Sequence, residues 1–410
     1  MYENKQEKEK ALLVSVDTGE FDAEVSIDEL EELAHTAGAE VLGKLIQKRE
    51  RPEAATFVGA GKLAEIIAFC SAQDVDLLIF DSELTPSQQR NLEKLTGVRV
   101  IDRTMLILDI FAARARTGEG KLQVELAQLK YSLPRLAGQG QSLSRLGGGI
   151  GTRGPGESKL ESDRRHINRR IQKLEEQLHE LEKRRDLLRR RRRKDGVQTV
   201  AIVGYTNAGK STLLNKLTGS EVLSEDKLFA TLDPTTRLLN LQDGQQILLT
   251  DTVGFIHKLP HHLIEAFKST LEEAKYADYI IHVVDSSNPQ AEMQMHVVYE
   301  TLRELGVMGK KIITLFNKQD VPGACVLRDF KSDYSLKISA RTGQGLEELG
   351  ELLARLLAED QIYMERIFPY QEAGKIQLIR EYGQLLSEEY TETGILVKAR
   401  VPREIYGKVV

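Results

Sequence analysis

Over about the first 115 residues, short apolar runs alternate with stretches whose apolar positions recur every three or four residues. The runs at 11–16 (ALLVSV), 40–46, 76–80 and 98–101 predict strands, and the periodic stretches opening at Ser26 and spanning 62–72 and 85–96 predict helices. Ser26 with Glu29 three residues on has the form of a capping box, and Pro86 stands in the first turn of the third helix. Strands separated by helices of this length predict a parallel sheet covered by helices. Gly59-Ala60-Gly61-Lys62 superficially resembles a phosphate loop but lacks its spacing, and reads as the turn that starts a helix.

The pattern then becomes helical. Met105–Arg116 and Lys121–Leu133 predict helices, the second with Leu122, Leu126, Leu129 and Leu133 on one face. Between Gly138 and Gly156 eight of nineteen residues are glycine, too little side chain to offset the entropy of ordering by burial. A long helix, Leu160–Lys194, follows, about 50 Å at 1.5 Å per residue. Its Ile167, Ile171, Leu174, Leu178, Leu181 and Leu188 form a heptad-like seam. So narrow a seam predicts one antiparallel partner, with Lys121–Leu133 nearest and the glycine-rich stretch at the tip of the hairpin. A plain interdomain linker is the alternative.

From Val197 a second α/β unit begins, and its chemistry is readable. A β-rich run at 199–203 leads into Gly204-Tyr205-Thr206-Asn207-Ala208-Gly209-Lys210-Ser211, a GxxxxGK[ST] loop, and then a helix. Glycines let backbone N–H groups curl around an anion, and the helix N-terminus adds its positive end. Lys210 is expected on the β- and γ-phosphates and Ser211 on Mg²⁺. Three later elements select guanine and a γ-phosphate. Asp251-Thr252-Val253-Gly254 is a DxxG turn, with Asp251 expected on Mg²⁺ and the Gly254 N–H on the γ-phosphate. Asn317-Lys318-Gln319-Asp320 is an NKxD element: the Asp320 carboxylate accepts from the guanine N1–H and N2–H₂ edge, which adenine lacks. Asn317 is expected to brace the phosphate loop, and the Lys318 stem to lie over the base. Ser339-Ala340-Arg341 matches the element whose backbone donates to guanine O6. Each tetrapeptide is weak alone; four in order, each after a predicted strand, sit where doubly wound sheets bind ligands.

The switch segment Phe229-Ala230-Thr231-Leu232-Asp233-Pro234-Thr235-Thr236-Arg237 offers three threonines, one of which is expected to close over Mg²⁺. FATLDP resembles the FTTLxP of Obg-type GTPases and points to Thr231, whereas the DPT resemblance to Ras points to Thr235; Thr231 is the preferred reading. Phosphoryl transfer to water often uses a Gln just after DxxG. Phe255 stands there and cannot orient water, so intrinsic hydrolysis is expected to be slow and to await a partner. Asn207 leaves two readings, a K⁺ ion held in the phosphate loop or an amide that merely bonds that loop. His257, His261 and His262 invite a metal reading, but capping or lining the helix that begins near Leu263 is preferred.

Composition adds limits. The 410-residue chain predicts several domains, 41% hydrophobic and 29% charged residues suit a water-soluble fold, and no apolar run is long enough for a membrane span. Cys70 and Cys325 lack metal-ligand spacing and read as reduced thiols of a cytoplasmic protein. The net charge of −5 conceals a basic island: Arg164–Lys194 holds fourteen Lys/Arg against five Asp/Glu, ending in Arg189–Lys194. A solvated helix face is the plain reading; binding to the phosphate backbone of folded RNA is favoured, because clustered Arg releases counterions without reading sequence.

Three stretches, GGGIGTRGPGESKLE (147–161), FATLDPTTR (229–237) and DTVGFIHKLPHHLIEAFKSTLEE (251–273), make the chain resemble the HflX family of translational GTPases over nearly its whole length. The resemblance implies binding to the large ribosomal subunit, separation of ribosomal subunits after stress, and an N-terminal region with a glycine-rich loop reaching toward the peptidyl-transferase region. His257 departs from the Arg or Lys of many relatives. The expectation is therefore an α/β protein in four parts: an N-terminal parallel-sheet domain (1–117), a helical hairpin linker (118–196), a Ras-like P-loop domain (197–360) and a small C-terminal α+β domain (361–410). It would bind GTP and GDP with Mg²⁺, respond to K⁺ on one reading of Asn207, meet the large ribosomal subunit, and act as a monomer. Two alternatives stand beside it: a GTP-switched assembly factor for the large subunit, and an RNA-binding module with a second nucleotide site in the N-terminal domain.

Overall fold

The computed structural model describes residues 8–136, 155–194, 197–219, 228–241, 245–260, 268–325, 327–359 and 361–410. The chain divides into two compact units. The first comprises Met1–His179, Lys227–Leu232 and His257–Phe267; the second comprises Glu180–Asp226, Asp233–Ile256 and Lys268–Val410.

In the first unit, β1 (Lys10–Asp17), β2 (Glu40–Lys48), β3 (Leu77–Phe80) and β4 (Arg99–Asp102) form a parallel sheet of order β2-β1-β3-β4. Successive side chains alternate faces. Leu12, Val14, Leu78, Phe80 and Val100 therefore share one core with Ile66 of α2 (Ala60–Gln73) and Leu92 of α3 (Pro86–Thr96). α1 (Ala23–Ala37) and α4 (Arg103–Arg114) add buried Ile27, Leu30, Ile107 and Phe111. The capping box of α3 is formed by Thr85 and Gln88. The helix predicted to open at Ser26 starts a turn earlier. Asp22 is its cap, accepting from the Glu24 and Val25 N–H groups, and Ser26 is a buried interior residue whose hydroxyl donates to Asp81 at 2.7 Å. Gly59 is the N-cap of α2, so the loop-like Gly-Ala-Gly-Lys starts a helix as expected.

α5 (Gly118–Leu136) and α6 (Pro155–Lys194) share a seam of Leu122, Leu126, Leu129 and Leu133 with Ile167, Ile171, Leu174 and Leu178. Two ion pairs give its direction. Arg170 bonds Glu125 at 2.6 Å, and each precedes a core residue; Lys130 bonds Glu175 at 2.7 Å, and each follows one. Like flanks meet only when two helices run in opposite directions, so the pair is antiparallel. Leu188 is 54% exposed and lies outside the seam, because the 19-residue partner is too short to reach it. The stretch 137–154 holds nearly all of the predicted glycine-rich tip and lies outside the described residues.

The second unit holds a six-stranded sheet of order β10-β9-β8-β5-β7-β6. Its strands are β5 (Gln198–Gly204), β6 (Thr235–Asn240), β7 (Gln246–Asp251), β8 (Tyr279–Asp285), β9 (Lys311–Asn317) and β10 (Tyr334–Lys337), parallel except for β6. The helices are α7 (Lys210–Thr218), α8 (Lys268–Tyr276), α9 (Ala291–Glu304) and α10 (Leu346–Glu359). A three-stranded antiparallel sheet follows, with β13 (Gly394–Pro402) between β11 (Gln361–Phe368) and β12 (Gln384–Thr391), and α11 (Ala373–Tyr382) and α12 (Arg403–Val409) on one face. The apolar pattern of α11 runs on through Leu385 and Leu386, but the helix stops at Tyr382. Gly383 ends it, because a Cβ there would lie 2.7 Å from the Arg400 carbonyl, and the next residues pair with β13. Cys70 is buried and Cys325 exposed, and neither is in a disulfide. No helix among the described residues is long and apolar enough to cross a membrane.

Candidate functional site

The phosphate-type loop leaves the carboxyl end of β5, and α7 begins at Lys210. Asn207 (φ 61°) and Gly209 (φ 95°) both take left-handed backbone, which turns successive N–H groups to one side of the loop. At Gly209 the requirement is also steric, since a Cβ would lie 2.4 Å from Asn317 Nδ2. Gly209→Ala is therefore expected to displace Asn317 and weaken guanine-nucleotide binding by about 10- to 100-fold. Titration with fluorescent GDP checks this, and unchanged affinity would show that the Asn317 contact is dispensable.

Lys210 is 6% exposed, and its Nζ donates to the Gly204 and Tyr205 carbonyls at 3.2 and 2.8 Å. Burial pulls its pKa down to about 8, against the opposing pull of Asp251. The Ser211 hydroxyl donates to Asp251 Oδ2 at 2.6 Å. This is a hydroxyl and a carboxylate in contact beside a loop of N–H donors. Among the described residues no group of three or more His, Cys, Asp or Glu could hold a metal. Two hard oxygen donors without an all-protein cage fit Mg²⁺, which takes its remaining ligands from phosphates and water.

The DxxG turn is laced to the same loop. Thr206 N donates to the Phe255 carbonyl at 2.8 Å and Phe255 N to the Gly204 carbonyl at 3.1 Å, while the Thr252 hydroxyl donates to the Ile202 carbonyl at 2.8 Å. Gly254 lies against Thr206, whose Cα would be 2.8 Å from an added Cβ. Phe255 is 1% exposed and packs as core, in keeping with its inability to orient water.

In the NKxD element, Asn317 is 2% exposed and makes two bonds in opposite directions. Its Nδ2 donates to the Ala208 carbonyl at 2.8 Å, and its Oδ1 accepts from Ala340 N at 2.9 Å. Asp320 Oδ1 accepts from the Ser339 hydroxyl at 2.6 Å, and Arg341 Nε lies 3.5 Å from Oδ2. The Ser339 bond leads in holding the Asp320 carboxyl below its usual range, so it is ionised at neutral pH. Lys318 (φ 63°) reaches Asp285 at 2.7 Å, a partner that motif reading did not supply. Gln319 N donates to the Ile338 carbonyl, joining the NKxD turn to the Ser-Ala-Arg turn.

Of the switch segment, Phe229, Ala230, Thr231 and Leu232 fall in the first unit, and Asp233 in the second. Phe229 (φ 54°) is buried edge-on against Phe111, centroids 4.7 Å apart, and Ala230, Thr231 and Leu232 follow it there. Thr235 lies in the second unit, opposite Asp251 in the β6–β7 ladder. His257 stacks on Phe21, ring centroids 3.9 Å apart, and the start of the helix it was expected to cap or line lies outside the described residues. Burial first, then Lys258 and Arg103, push its pKa down to about 4, leaving it neutral. His261 and His262 lie outside the described residues.

Motif reading missed the buried cluster that receives this segment. Asp81, fully buried at the carboxyl end of β3, accepts from Arg103 Nη1 at 2.8 Å, Lys258 Nζ at 2.7 Å and the Ser15 and Ser26 hydroxyls. Arg103 also pairs with Glu29 and donates to the His257 carbonyl at 3.2 Å. The only sequence signal is a carboxylate directly after the apolar run LLIF.

A family model described as "GTP-binding GTPase N-terminal" matches residues 24–112, "GTP-binding GTPase Middle Region" matches 114–192, and "50S ribosome-binding GTPase" matches 199–318. The GTPase HflX of Lacrimispora saccharolytica is 60% identical over 411 residues, covering all of this chain and 97% of that protein. The GTPase HflX of Escherichia coli is 40% identical, covering 98% and 96%. A solved GTP-binding protein of Sulfolobus solfataricus in complex with GDP is 28% identical, with a TM-score of 0.45 over 86% of this chain and 99% of that one. With its phosphate loop, DxxG, NKxD and Ser-Ala-Arg turns at the carboxyl ends of one sheet, this chain belongs to the HflX family of GTPases.

Proposed function

We propose that this GTPase binds the large ribosomal subunit and uses GTP binding and hydrolysis to split or rescue ribosomes under stress. In this reading Lys210 and the loop N–H groups hold the β- and γ-phosphates, and the Gly254 N–H senses the γ-phosphate. Ser211 and Asp251 would hold Mg²⁺, with Thr231 closing over it, and the ion when bound neutralises charge on the phosphate oxygens. Asp320 reads the guanine edge, while Ala340 and its neighbours face O6.

One observation carries the nucleotide assignment: the buried Asn317 amide joins the phosphate loop to the Ser-Ala-Arg turn. The basic run Arg189–Lys194 and the printed name of the family matching 199–318 support the ribosomal partner. Because Phe255 replaces the usual glutamine, turnover by the isolated protein is expected to be slow, on the order of 10⁻³ per second, and to rise at least ~100-fold with purified large subunits. The measurement is phosphate release with and without subunits, in KCl and in NaCl. Equal rates with and without subunits would overturn the ribosomal reading, and equal rates in the two salts would assign Asn207 to bonding its own loop. Sucrose-gradient sedimentation separates the two ribosomal roles: intact ribosomes falling into subunits with GTP supports splitting, and accumulation only on immature particles supports assembly.

A further inference from the structure

The basic run at the end of α6 is uniform in sequence but not in structure. Arg190 and Arg191 are exposed, whereas the Arg189 side chain is only 13% exposed. Its Nη2 donates to Glu273 at 2.6 Å, its Nη1 to Asp186 at 3.3 Å, and its guanidinium carbon sits 4.0 Å from the centroid of the Tyr276 ring. Glu273 and Tyr276 both belong to α8, the first described helix after the DxxG turn in the chain. A cleft of about 230 Å³ lies beside this contact, lined by Arg189, Arg190, Thr199, Glu273, Tyr276 and Asp278.

A guanidinium held at once by a carboxylate and an aromatic face is fixed in position and orientation, which a point-charge lysine could not reproduce. Arg189 is thereby taken up within the protein, while its immediate neighbours stay open to an anionic partner. We propose that Arg189 is a positioning residue that ties the arginine-rich end of α6 to α8, so that RNA phosphates binding Arg190 and Arg191 are coupled to GTP turnover. The proposal rests on the ribosomal reading above and adds the residue through which that partner acts.

The test uses the full-length chain with purified large ribosomal subunits, measuring co-sedimentation across a KCl series together with kcat and KM for GTP. Arg189→Ala is expected to co-sediment within about threefold of wild type, with an unchanged salt slope, while its subunit-dependent rise in kcat shrinks at least tenfold and KM is unaltered. Arg190→Ala/Arg191→Ala is expected to weaken binding, flatten the salt slope by about two, and lose the rise in kcat even at saturating subunits, since the phosphate contacts that feed the coupling are gone. Arg189→Lys keeps the charge without the two-point hold and falls between. The swap Arg189→Glu/Glu273→Arg exceeds either single variant in stimulation, which a general loss of stability would not produce. Wild-type stimulation in Arg189→Ala overturns the proposal, and so does a binding loss as large as that of the double variant, which would make Arg189 a phosphate contact. If wild type itself is not stimulated, the ribosomal reading fails first and takes the coupling with it.

Discussion

Replacing Asp320 by Asn is expected to move base preference from guanine to xanthine, with the ratio of GTP to XTP affinity swinging by roughly 10⁴. The ionised carboxylate is acceptor-only and suits two donors, guanine N1–H and N2–H₂. An amide keeps one acceptor but sets an N–H₂ against the guanine amino group. Xanthine carries an oxygen at that position and restores a donor–acceptor match. The surroundings favour a clean exchange, since the Ser339 hydroxyl that donates to Asp320 Oδ1 at 2.6 Å can donate equally to an amide oxygen and fix its orientation. Displacement of fluorescent GDP by GTP and XTP reads the swing. An unchanged ratio would mean that Asp320 does not read the base.

Arg103→Ala is expected to destabilise the first unit by about 3–5 kcal/mol, because it takes the guanidinium from Glu29 and from a carboxylate with no exposed surface, leaving Asp81 to the partly exposed Lys258 ammonium. Hydrogen exchange of β3 and α4 measures it locally, which matters in a chain of two units that need not unfold together. Asp81 gives the pH dependence. Burial alone would raise its carboxyl, but Arg103 and Lys258 outweigh burial and hold it below the ordinary value. A depressed carboxylate contributes stability that is complete above its unfolded value near 4 and is lost as pH falls through the lower folded value. Protection should therefore be flat from pH 8 to 5 and fall below about 4, whereas Asp81→Asn should lack that acid limb. Equal acid sensitivity in both proteins would remove Asp81 from this role.

The nucleotide elements were legible because each is local: a tetrapeptide whose backbone geometry and chemistry are complete within a few residues. The α5–α6 seam was legible for the same reason, as a period within each helix. What escaped reading depends on partners distant in the chain. Asp22 and Ser26 are equally good caps by type, and only Asp81, 55 residues beyond Ser26, shows why the serine is an interior residue. Leu385 and Leu386 continue the apolar pattern of α11, and the tight approach of Gly383 to Arg400 is what turns them into a strand. Lys258 follows DxxG in a segment with switch-like composition, yet its ammonium meets a carboxylate 177 residues earlier. The basic run could be counted but not divided, since the partners that set Arg189 apart from Arg190 lie on α8.

The Asn317 amide has a further consequence for ligand binding. By bonding Ala208 on one side and Ala340 on the other, it sets the spacing between the phosphate-type loop and the Ser-Ala-Arg turn, which in the proposed reading hold the two ends of the nucleotide. A nucleotide then behaves as a bidentate chelate: once one end is bound, the other meets its turn at a high effective concentration. Guanosine alone or inorganic phosphate alone forfeits that gain, and each should bind far more weakly than its share of the nucleotide's affinity. Loosening Asn317 would cost the whole nucleotide more than it costs either fragment.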